Sequence, residues 1–139
     1  MKTAVNLIGG LGITVPEHLR FAAEAGFDAF FAGWSGSQRL SEVISLGKEL
    51  GLTAQSVHAP FGKVNLLWED PGAEGDAVLQ TLTECLEGCS DNSVDIMVSH
   101  AYIGFGPQSP SALGVERFGR LFDRASELGV KVAVENTEG

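Results

Sequence analysis

Three times in this chain a helical pattern closes on a glycine and a strand-like run begins at once: Glu24-Ala25-Gly26-Phe27, Glu49-Leu50-Gly51-Leu52 and Glu127-Leu128-Gly129-Val130. Glycine takes the positive φ that ends a helix without a Cβ penalty. A strand that repeatedly starts straight after a helix is the αβ turn of a parallel sheet. Such crossovers are right-handed, so every strand points the same way and every βα loop gathers at one edge of the sheet.

Between these junctions the chain alternates. Strand-like runs occupy residues 4–8, 27–32, 52–57, 94–99 and 130–134, and the last, rich in valine, reads as a buried strand. The first helix starts at Thr14-Val15-Pro16-Glu17, where Thr14 can cap and Glu17 can return a bond. Further helical patterns span 38–50, 76–89 and 112–128. The second turns Leu40, Val43, Ile44 and Leu50 inward. In the third, Cys85 and Cys89 point inward as small apolar residues. The last turns Leu113, Phe118, Leu121, Phe122, Ala125 and Leu128 inward. Loops at 58–74 and 100–111 follow the third and fourth strands.

Two architectures accommodate this pattern in one domain over residues 1–139: an open doubly wound sheet, or part of a parallel (β/α) barrel of TIM type. A five-stranded flavodoxin-like sheet usually ends in a covering helix, whereas this sequence ends on a strand. The expectation is therefore the N-terminal part of an eight-stranded barrel, truncated after strand five. Strands one and five would then be open edges, and self-association through them is expected.

Composition narrows the function. The net charge is −9, with 18 acids against nine bases, which disfavours a duplex-binding surface. Arg117, Arg120 and Arg124 share a helix face with Glu116, Asp123 and Glu127 and read as solvated ion pairs. No apolar stretch approaches the roughly 18 residues of a membrane span. The N-terminus reads as a first strand rather than a secretory signal. Two cysteines make no disulfide framework, and the cytoplasm is the expected compartment.

Chemistry concentrates at the strand ends. Strand three ends in Ser56-Val57-His58, strand four in Val98-Ser99-His100 and strand five in Val134-Glu135. Barrel enzymes keep their sites at this face. A histidine taken alone at a strand end is usually a hydrogen-bonded loop residue. Two imidazoles and a carboxylate on successive strands about 4.8 Å apart can converge on zinc, manganese or iron. His18, in the first turn of a helix, reads as a surface residue. Trp34 and Trp68 follow strands two and three, where they could flank a sugar-sized pocket or pack as caps on the barrel. Gly9-Gly10-Leu11-Gly12 lacks the GxGxxG order and reads as a βα loop, not a dinucleotide site.

Ser56-Val57-His58-Ala59-Pro60-Phe61 with Asn65-Leu66, then Val98-Ser99-His100, then Val134-Glu135-Asn136-Thr137 resemble the third-, fourth- and fifth-strand motifs of the xylose-isomerase-like TIM-barrel superfamily. That superfamily includes sugar and sugar-phosphate isomerases and epimerases, inosose dehydratases and an apurinic endonuclease IV branch. The resemblance covers the whole chain as the first five strands of the barrel. It implies a divalent metal (zinc, manganese, magnesium or cobalt) held by His58, His100 and Glu135. Glu135 would double as the catalytic proton carrier, and His58 and His100 would orient metal or a small carbohydrate or sugar phosphate, which Trp34 and Trp68 would border on the pocket reading of their positions given above. The alternatives it leaves are an endonuclease IV-like zinc phosphodiesterase acting on abasic DNA, and a catalytically incomplete barrel fragment. Many isomerase and epimerase relatives carry an acid at the end of strand two, but here that stretch is Phe30-Phe31-Ala32-Gly33-Trp34. The remaining ligands and the second acid or base would lie on strands six to eight.

Overall fold

The computed structural model describes residues 2–7, 12–104 and 110–135. In chain order the elements are β1 (Ala4–Asn6), α1 (Val15–Glu24), β2 (Ala29–Gly33), α2 (Ser37–Glu49), β3 (Thr53–His58), α3 (Leu66–Glu69), α4 (Ala73–Asp91), β4 (Ile96–His100), α5 (Ala112–Leu128) and β5 (Lys131–Glu135). The five strands form one sheet in the order β1-β2-β3-β4-β5, each pair parallel. Each strand lies beside its predecessor in sequence, as in the wall of a (β/α) barrel, and the order never reverses as it does in a doubly wound sheet.

Local chemistry explains the junctions. Gly26, Gly51 and Gly129 have φ of 81°, 79° and 68°. Phe27, Leu52 and Val130 then donate their N–H groups back to Ala22, Gly47 and Ala125 at the preceding helix ends. At the start of α1 the expected capping box forms, with Thr14 and Glu17 bonding each other's backbone and side chain. The Gly9-Gly10-Leu11 stretch and Ile8 lie outside the described residues.

One face of the sheet meets the helices. Phe30 lies against Gly47 of α2, where a Cβ would collide with the ring. Ala32 shares that face by the two-residue pleat, Val57 pairs with Ala32, and Met97 pairs with Val57. All four are buried, and Leu82, Leu86, Cys85 and Cys89 of α4 complete the core above them.

Several expectations need correction. Strand five is an edge among the described residues, as expected, but the valine-rich run at 130–134 is not buried along its length. Val130 is buried but Val134 is 50% exposed, because β5 pairs only with β4 among the described residues. Phe122, expected inward, is 43% exposed and stacks on the outer side of Phe118. The loop after β3 contains the one-turn helix α3, anchored by the fully buried Leu67. Arg117 is not part of a solvated ion-pair face. It is buried, whereas Arg124 pairs with Glu127 as the charge pattern suggested, and also with Glu87 of α4. No helix among the described residues is long and apolar enough to cross a membrane.

Candidate metal centre

Strand register brings the three predicted side chains together. His58 pairs with Val98, two residues before His100, and His100 pairs with Glu135. The pleat therefore points all three to one face, opposite Val57 and Met97. Their donor atoms form a nearly equilateral triangle. His58 Nε2 lies 3.2 Å from His100 Nε2, and each lies 3.3 Å from Glu135 Oε2. His100 is deepest at 7% side-chain exposure, while Glu135 at 49% opens to solvent.

Hydrogen bonding fixes how one imidazole presents itself. His58 Nδ1 lies 2.7 Å from the carbonyl oxygen of Ala59. A carbonyl only accepts, so Nδ1 carries the proton, and the neutral ring offers Nε2 as a bare lone pair. This tautomer follows from the bonding network. That lone pair faces a carboxylate oxygen, itself an acceptor. Two acceptors at this distance repel unless a shared cation, either a proton or a metal ion, lies between them. A ring N–H held by a backbone carbonyl is also the usual second-layer support of a metal-bound histidine.

The donor set fits a metal. Tetrahedral ligands at about 2.0–2.1 Å from zinc stand roughly 3.3 Å apart, close to the 3.2–3.3 Å edges found here. Burial and the neighbouring His58 hold the His100 imidazole below its ordinary pKa, opposed in part by Glu135; a lowered pKa favours the neutral form, the one that can ligate a metal.

The surroundings hold the two histidines in register. Phe61 lies across both rings, with centroids 5.4 Å from His58 and 4.7 Å from His100. Asn65 bonds Ile103 twice, donating to its carbonyl at 2.7 Å and accepting from its N–H at 2.8 Å. Trp68 donates its indole N–H to Ala101, the residue after His100, at 2.7 Å. The segments that follow His58 and His100 are thus joined to each other.

The remaining candidates lie elsewhere. Trp34 packs over Gly88 of α4 beside Leu40. Trp68 stacks on Phe118 and lies flat on Gly114 of α5. Both indoles occupy the helix layer rather than the triad. His18 sits half-buried on α1. Asn136 and Thr137 lie outside the described residues.

Arg117 was missed as an inward residue. It follows Leu113 by four and precedes Leu121 by four, so helical spacing alone places it in the inward stripe.

The pattern of the xylose isomerase-like TIM barrel matches residues 19–139. No curated protein matches the sequence. Solved structures resemble the fold closely. A D-psicose 3-epimerase with D-tagatose from Clostridium cellulolyticum H10 has a TM-score of 0.72 at 16% identity, over 96% of this chain and 52% of that one. A xylose isomerase domain protein from Planctomyces limnophilus has a TM-score of 0.71 at 15% identity, over 99% and 54%. A 3-keto-D-glucoside 4-epimerase from E. coli has a TM-score of 0.68 at 19% identity, over 96% and 55%. The chain spans about half the length of these structures, and at such identities the likeness establishes the fold alone. A parallel sheet in sequential order, histidines ending its third and fourth strands, and a pattern match over most of the sequence lead to one assignment: the chain belongs to the xylose isomerase-like TIM barrel family.

Proposed function

We propose that His58, His100 and Glu135 hold a divalent metal ion, and that the protein is a metal-dependent sugar or sugar-phosphate isomerase or epimerase. The triangle of donor atoms with 3.2–3.3 Å edges, one of them a lone pair fixed by the Ala59 carbonyl, carries the reading. Sugar epimerases among the structures of like fold support the substrate class. The net charge of −9 weighs against a nucleic-acid substrate.

The bound ion would polarise a carbonyl and its neighbouring hydroxyl. His58 and His100 anchor it from the sheet, and Phe61 covers their rings on one side. Glu135 turns Oε2 toward the imidazoles and is half-exposed, so substrate can reach its carboxylate. Its role is to take the proton from the carbon beside the carbonyl, the C–H electron pair moving toward the carbonyl oxygen, and to return it. Epimerisation needs a second acid or base facing Glu135 across the substrate.

The test measures metal content by elemental analysis on the protein and on Glu135→Ala, followed by deuterium wash-in from D2O to a panel of ketoses and ketose phosphates. Near-stoichiometric zinc, manganese or cobalt, lost in the variant, supports the metal centre, and its absence from both proteins overturns it. Metal without deuterium incorporation into any panel sugar would overturn the isomerase reading.

A further inference from the structure

Arg117 is the one large charged side chain in the core of the described residues, at 2% exposure. Its two terminal nitrogens bond mostly backbone, while the buried Nε has no hydrogen-bond partner. Nη1 donates to the carbonyls of Leu66 at 3.2 Å, Leu67 at 3.2 Å and Asp70 at 2.6 Å. Nη2 donates to the carbonyl of Gly72 at 3.4 Å and to Asp76 Oδ1 at 2.7 Å. A helix leaves its last carbonyls without intrahelical partners. In the one-turn α3 the Leu66 carbonyl accepts from the Asp70 N–H, the Leu67 and Trp68 carbonyls accept from Arg117 and Ser111, and the positive charge sits at the helix's negative end. Arg117 therefore caps α3 from a different helix. Gly75 makes room for it, since a Cβ there would collide with the guanidinium.

Beside the β3–β4 ladder, helix α3 is a second link between the two histidines. Asn65 just before it and Trp68 within it hold Ile103 and Ala101, the backbone that leaves His100. The 59–64 segment ties it to His58, and Phe61 of that segment lies on both imidazoles. From α5, Ser111 donates to the Trp68 carbonyl at 2.7 Å, so Arg117 and Ser111 grip α3 from the same helix.

We infer that Arg117 is a positioning residue of the metal centre: by capping α3 it steadies the segments that follow His58 and His100, and with them the two imidazoles, without touching either. The metal part of this inference rests on the function proposed above, whereas the positioning itself can be read without metal. Arg117→Met keeps the volume and removes the donors, and Arg117→Lys keeps the charge and fewer donors. Leu86→Ala, a cavity about three turns along α4 from Gly75 and the guanidinium, serves as a control of lowered stability.

Three readouts are taken: thermal midpoint, cobalt(II) affinity with its visible spectrum, and NMR of the Trp68 indole N–H and the imidazole nitrogens. R117M is expected to weaken cobalt binding by tenfold or more, the scale seen when support behind metal ligands is lost. It should also shift the visible bands, speed exchange of the Trp68 indole proton and move the His58 and His100 nitrogen signals. R117K should recover part of each change, and L86A should lower the midpoint while leaving all of them in place. An R117M protein with wild-type cobalt affinity, spectrum and indole exchange overturns the inference. If wild-type protein binds no cobalt, the metal reading fails, and the indole exchange and imidazole signals of metal-free R117M decide positioning alone. If R117M does not fold, R117K decides: shifted indole and imidazole signals support the inference and wild-type signals overturn it.

Discussion

Two glycines of α5 should respond to alanine with opposite signs. At Gly114 an added Cβ would collide with the six-membered ring of Trp68, whereas at Gly119 it would meet nothing within 4 Å. Alanine at an unobstructed helix position stabilises by roughly 0.5–1 kcal/mol over glycine, so Gly119→Ala should gain about that much. Gly114→Ala starts with the same or a smaller gain, since it lies in the first turn. Against this stands overpacking, about 1–3 kcal/mol. If the indole is driven off its carbonyl partner at Ala101, about 0.5–1.5 kcal/mol more is lost. The net expectation is a loss near 2 kcal/mol. At roughly 3–5 °C per kcal/mol for a chain of this size, the midpoint should fall by about 6–10 °C, while G119A raises it by about 2–4 °C. Urea and thermal denaturation followed by circular dichroism measure both, and tryptophan emission reports whether the Trp68 ring has moved. A G114A protein as stable as wild type or more so would refute the packing of the indole on α5, and with it the link from α5 to the backbone after His100.

Two further expectations concern ionisable groups. His100 is held below its ordinary value of 6.5 by burial and by His58. The unfolded chain therefore binds more protons than the folded one between the two values, and metal-free protein should lose stability as pH falls through 6.5 and below. Thermal midpoints between pH 7.5 and 5.5 should show that loss, and a His100→Gln profile as steep as wild type would contradict it. Contact with Cys89 and burial push the Cys85 thiol up, and both cysteines are buried. Native protein should leave both unlabelled by a thiol reagent over the minutes in which urea-unfolded protein labels fully. Rapid native labelling would show that the face of α4 carrying them opens.

Much of the site was legible because the signals that set it are local. A glycine after each of three helices fixes where the next strand begins, and a two-residue pleat fixes which way its side chains point. His58, His100 and Glu135 could therefore be placed at adjacent strand ends from sequence alone, and the register confirms that they share a face. Periodicity tells which side of an element is inward, but not what waits there. Arg117 stood in the inward stripe of α5 yet read as a surface charge, because its partners are carbonyls some 45–51 residues away. Trp34 and Trp68 followed their strands as expected, but which neighbour receives an indole depends on where glycines open the helix surface, at Gly88 and Gly114. The valine-rich run before Glu135 read as a buried strand, but its burial falls off toward Glu135, where Val134 is exposed and β5 pairs only with β4 among the described residues. The sequence determined the alternation, the strand ends and the identity of the three donors, since each depends on residues a few positions apart. The tertiary structure alone decided that their atoms meet within 3.2–3.3 Å, because that distance is set by contacts between segments far apart in the chain.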